Sequence, residues 1–76
     1  MAEQQDQLRD YEKSLALIER SLAKMPESPI VNYHAGMVLY QLGRTGEAKE
    51  KLEKAVGSEE TFIGREEAER TLKMIS

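Results

Sequence analysis

Apolar residues recur at Leu8, Tyr11, Leu15, Ile18, Leu22 and Met25, at intervals of three and four, and Leu17 widens the stripe. That spacing follows the 3.6-residue turn and predicts a helix over 5–24. Pro26 and Pro29 stop it, because the residue before a proline avoids the helical region. Ser28 directly before Pro29 reads as an N-cap followed by proline at the first helical position. A second helix is predicted over 29–42. Val31, Ala35, Val38 and Leu42 form one apolar face, and Ile30, Tyr33, Met37 and Tyr40 another. A helix apolar on two faces touches neighbours on both sides, or a neighbour on one and a ligand on the other. Gly43 can take the left-handed conformation that ends it. Gly36, in its middle, costs about 1 kcal/mol against alanine, a cost accepted where another helix passes close.

A third helix is predicted over 45–56, with Ala48, Leu52, Ala55 and Val56 inward and Gly57 as its C′ residue. Ser58 or Thr61 then caps a fourth helix over 62–75. Ala68, Leu72 and Ile75 share one face of it, and Arg65, Glu66, Glu69, Arg70 and Lys73 the other. One apolar stripe and one charged face describe a terminal helix that covers a core. Short connections make sequential helices antiparallel neighbours. The expectation is an all-α chain, a single domain over 1–76.

The pattern also repeats. Ser14, Ile18, Ser21 and Leu22 return 34 residues later as Ala48, Leu52, Ala55 and Val56. Each set puts small residues on either side of a large aliphatic. Between the sets lie Asn32, Ala35, Gly36, Leu39 and then Gly43. Repeated units of this kind cannot bury their apolar faces alone and stack on one another.

This order resembles the tetratricopeptide repeat, whose pattern is W-x2-L-G-x2-Y…A-x3-F…P over 34 residues. Asn32, Ala35, Gly36 and Leu39 stand at the first four positions, and Ala48, Leu52 and Glu60 at the last three. Tyr11, Ser14, Ile18, Ser21 and Pro26 give the preceding half-repeat. Asn32 stands where the family has an aromatic, Thr45 where Tyr11 stands one repeat earlier, and Glu60 where it has proline. Arg70 falls where Gly36 would recur, so the last helix reads as a cap. The resemblance covers about 10–58 and implies a helix-turn-helix superhelix fragment. It also implies a protein or peptide partner held in a concave groove lined by the first helix of the repeat: Ile30, Tyr33, His34, Met37, Tyr40 and Gln41. Aromatic residues and methionine suit such a surface, and packing against neighbouring helices is the competing use for them. The groove helix has no Lys or Arg, so the family's clamp on a partner's terminal carboxylate has no counterpart.

One and a half repeats plus a cap fall short of the three that a solenoid needs. Either the stripe of the first helix stays open, with Leu8, Tyr11 and Leu15 at a self-association edge of a homodimer or under a covering segment, or the helices close as a bundle. A coiled coil along 8–25 is the further alternative, disfavoured by the 34-residue echo and the lack of a charge-pairing code.

Composition narrows the function. A third of the residues are charged, there is no cysteine, and the net charge is −3. No disulfide, thiolate metal site or thiol nucleophile exists. No basic stripe is visible in the sequence, so nucleic acid is not expected as a partner. No apolar run reaches the roughly 20 residues of a membrane span, and the first residues lack a signal-peptide pattern. A soluble, cytoplasmic setting is the working expectation.

Chemistry is not expected. His34 is the one histidine, and positions 30, 31, 37 and 38 are Ile, Val, Met and Val, which leaves it without a helical metal partner. Glu59-Glu60 and Glu66-Glu67 are adjacent pairs, and adjacent helical residues diverge by about 100°. No phosphate-loop glycine pattern occurs. The sequence therefore implies no enzyme, no cofactor and no metal. The leading expectation is a binding module; the alternative is an end cap or oligomerisation segment of a longer repeat protein.

Overall fold

A computed structural model describes the backbone of residues 2–58 and 62–75, and the side chains of 9–58 and 62–75. The Leu8 side chain, Glu59, Glu60 and the Thr61 cap therefore lie outside the described residues. Within them all regular structure is helical: α1 (Ala2–Lys24), α2 (Pro29–Gln41), α3 (Thr45–Val56) and α4 (Arg65–Ile75). The fold is all-α.

The helix boundaries follow local chemistry. Ser28 is extended, its hydroxyl accepts from the Val31 N–H at 3.4 Å, and Pro29 follows at the first turn. At the other end of α2, Leu42 is the C-cap and Gly43 has φ of 80°. The Gly43 N–H donates to Tyr40 O at 3.0 Å and the Arg44 N–H to Leu39 O at 2.9 Å, the paired closure of a Schellman motif. α3 ends differently from the expectation. Gly57 is the C-cap with φ of −75°, so no left-handed residue closes this helix.

α4 begins at Arg65, three residues later than the pattern implies, because Phe62–Gly64 form a turn. Gly64 has φ of 103°, and a Cβ there would lie 2.5 Å from Tyr33 Cζ. The Tyr33 ring thus lies on the Gly64 backbone. Arg65 then holds the two helices together. Its Nη2 donates to Val56 O at 2.8 Å and its Nη1 to Ser58 O at 3.2 Å. A cation on the last carbonyls of α3 is favoured by the helix dipole.

α2 is the central element, packed against α1, α3 and, more lightly, α4; α3 also packs on α4. A Cβ on Gly36 would sit 2.5 Å from Leu52 Cγ and 3.3 Å from Ala48 O, so the mid-helix glycine is where α3 crosses α2 most closely. Leu15, Leu39 and Ala48 form the core cluster, with Val38, Tyr40, Leu42 and Ile75 against it. Asn32 is fully buried. Its Nδ2 donates to Ser28 O at 2.8 Å and Pro26 O at 3.1 Å, locking α2 to the turn that precedes it, while Oδ1 has no partner.

α2 and α4 begin 36 residues apart, at Pro29 and Arg65, whereas their ends and one contact between them fall 34 apart. α2 ends at Gln41 and α4 at Ile75, 34 residues on. Thr71 Oγ1 lies 3.7 Å from Met37 Sδ, again 34 apart, and donates to Glu67 O at 2.9 Å. Thr71 is the residue of α4 that is buried with Ala68, whereas the expected Leu72 and Ile75 are only half-buried. Two residues of the first stripe are also displaced. Leu17 is 62% exposed and Met25 53% exposed.

Candidate functional site

The groove between α2 and α4 is built from α2 outward. Tyr33, His34 and Met37 sit on successive turns of α2 and face Phe62, Gly64, Arg65, Glu66, Glu67 and Arg70 across an open groove of about 730 Å³. Tyr33 is the pivot. Its ring meets His34 edge-on, with centroids 5.3 Å apart, and Phe62 at 5.5 Å and a 46° tilt. Met37 forms the floor above Thr71. His34 is exposed.

Charge in this groove is mixed. Arg70 donates to Glu67 at 3.3 Å, and Arg65 is held by Glu69 at 3.3 Å as well as by the α3 carbonyls. Glu66 and Glu67 occupy the first turn of α4, where carboxylates complement the helix dipole. Exposed pairs of this kind contribute about 0–1 kcal/mol each. They can exchange partners with an incoming chain at small loss.

Of the six residues assigned to the groove from sequence, Tyr33, His34 and Met37 line it. Tyr40 lies elsewhere, packed on the Leu15–Leu39–Ala48 core, while Ile30 and Gln41 are exposed and outside the groove wall. At the expected open edge, Leu15 is 7% exposed and belongs to the core, and Tyr11 is half-buried. The opposing wall was missed. Phe62, Arg65 and Arg70 read from sequence as parts of a cap facing water. No sequence signal finds them, because α4 does not keep the 34-residue phase and begins 36 residues after the start of α2.

A second cleft of about 460 Å³ lies between α1 and α3 over α2. Leu15, Leu22, Ala35 and Leu39 line it with Glu19, Glu47, Glu50 and Lys51 among the charged residues. Arg44 pairs with Glu47 at 2.6 Å at its rim.

Among the described residues no group of three or more His, Cys, Asp or Glu could hold a metal, and no helix is long and apolar enough to cross a membrane. The described molecule is thus an all-α chain of sequentially packed helices with an aromatic-walled groove. Comparison with family models, with curated proteins and with solved structures finds no match.

Proposed function

We propose that this chain is a non-catalytic protein-interaction module of tetratricopeptide-like layout, which takes a peptide or helix of another protein into the α2–α4 groove. The observation that carries this reading is Tyr33, His34 and Met37 at helical spacing on one wall, facing Phe62 and the first turns of α4 on the other. Aromatic and methionine side chains give a large, adaptable contact area. The flanking Arg65, Glu67 and Arg70 supply polar contacts to a bound backbone or side chain. His34 contributes an exposed imidazole at the rim.

The test is selection of ligands from a random peptide library, followed by amide chemical-shift mapping on the whole chain. Shifts centred on Tyr33, His34, Met37 and Arg70 support the reading, and Met37→Ala weakens the selected peptide about tenfold. Shifts that avoid α4, or unchanged binding by Met37→Ala, remove it. Tyr40→Ala serves as a control for lost stability, since Tyr40 packs on the core.

A second reading, an end cap of a longer repeat protein, draws on one observation. Ala35, Gly36 and Leu39 are three of the five buried residues of α2, and 34 residues on stand Glu69, Arg70 and Lys73. A charged triad in that place leaves no apolar surface on which a following helix could stack.

A further inference from the structure

The 34-residue translation makes α1 the counterpart of α3, and the two differ in what covers them. In α3 the small–large–small set Ala48, Leu52 and Ala55 is completely buried, because α2 and α4 both pack on that helix. In α1 the matching Ser14, Ile18 and Ser21 are only half-buried. Among the described residues α1 has one neighbouring helix backbone, that of α2, which occupies the place α4 takes on α3. The place that α2 takes on α3 is open on α1.

Among the described residues nothing fills it. Arg9 stands where the translation puts Gly43, and α1 runs straight through that position from Ala2. The open face carries apolar surface that nothing else explains. At about 100° per residue, Ser14, Leu17, Ser21 and Met25 share an arc of about 80° that also holds the exposed Asp10. These include the exposed Leu17 and Met25, and the Met25 N–H still donates helically to Ser21 O at 2.8 Å. Beside this arc, Arg9, Lys13, Arg20 and Lys24 fall within about 60° of one another. All four are exposed, and none has an ion-pair partner among the described residues. This corrects the expectation of no basic stripe: a chain of net charge −3 carries a ridge of four exposed cations along one flank of α1, with Asp10 on the face beside them.

We propose that this face of α1 docks an acidic amphipathic α-helix of a partner protein, laid antiparallel to α1 as α2 lies on α3. Three features define the occupant. It presents a small residue, glycine or alanine, toward Ile18, as Gly36 meets Leu52. Its apolar side chains cover Leu17 and Met25. Its carboxylates face Arg9, Lys13, Arg20 and Lys24. A second copy of this chain through its own α1 is disfavoured, because an isologous pair would bring the two basic ridges together. This surface lies away from the α2–α4 groove and stands independently of it.

The experiment uses the full chain and three synthetic helical peptides. The first reproduces the Asn32–Ala35–Gly36–Leu39 face of α2 and carries glutamates along the flank opposite the ridge. The second replaces those glutamates with lysines, and the third replaces the glycine with leucine. Fluorescence anisotropy gives the affinities. The expected result is saturable binding of the first peptide, weakened by salt, and at least about tenfold weaker binding of the other two. Leu17→Asp and the double variant Lys13→Glu/Arg20→Glu each abolish it, while circular dichroism stays unchanged because all three positions are exposed. Equal binding of the lysine peptide, or no binding of the first, overturns the proposal. A dimer in light scattering that Leu17→Asp dissociates assigns the face to a second copy and overturns it too. Ridge-dependent binding to phosphatidylserine vesicles, with no binding to the acidic peptide, points to a membrane surface and has the same consequence.

Discussion

Gly36 and Leu52 are the tightest meeting of two helices in this chain, and their geometry makes a direct prediction. Gly36→Ala forces a Cβ to within 2.5 Å of a buried Leu52 Cγ and 3.3 Å of a backbone oxygen. Overpacking of this kind costs about 1–3 kcal/mol, which outweighs the helix-propensity gain of up to about 1 kcal/mol. In a domain of this size, thermal unfolding then shows Tm lower by roughly 5–10 °C for alanine, and further for leucine. An unchanged Tm in both variants contradicts the close crossing. Asn32 gives a second case. Asn32→Asp keeps the shape but sets a carboxylate against the carbonyls of Ser28 and Pro26. Its cost is about 3 kcal/mol or more, read from urea denaturation, and it exceeds that of Asn32→Leu, which removes the unpartnered Oδ1 as well.

At the scale of the element, caps and glycines were legible in the sequence because their chemistry is local. Ser28-Pro29 and Gly43 need only their neighbours to define a helix end. The start of α4 was not legible, since it depends on Tyr33 packing on Gly64 from another helix. Nor could periodicity tell Tyr33 from Tyr40. Seven residues apart, they share a face of α2, but α2 is apolar on two faces and its neighbours decide which ring enters the groove. Leu17 and Met25 show the same limit: a repeat of three and four marks a stripe without saying whether anything covers it. Arg65 belongs here too. Arg65→Met removes the donor to Val56 O and Ser58 O and frays the last turn of α3. The expected cost is about 1–2 kcal/mol, with faster amide exchange at 53–58 and little change in α1.

Across the whole molecule, each helix packs chiefly on its neighbours in sequence. Protection should therefore be graded. α2 and α3, each covered by helices on both sides, should hold the slowest-exchanging amides, and α1, with α2 as its one neighbouring helix backbone, should exchange faster along its length. Native-state hydrogen exchange checks this order; uniform protection in α1 and α3 would mean that α1 already has a second neighbour. The fold class was readable from spacing alone. The groove was readable on its α2 side only, because its other wall comes from α4, whose side chains do not follow the 34-residue pattern.

The crossing at Gly36 also bears on how the chain reaches this structure. α2 and α3 are joined by a three-residue connection, Leu42–Arg44, so their contact closes a short loop. α1 and α4 each add to a pair that can already exist. We expect the α2–α3 hairpin, the more extensive contact, to form first, with both outer helices docking after it. Local contacts of this kind permit folding in microseconds to milliseconds. Leu52→Ala should then slow refolding nearly in proportion to the stability it removes, whereas Ala68→Gly in α4 should chiefly speed unfolding.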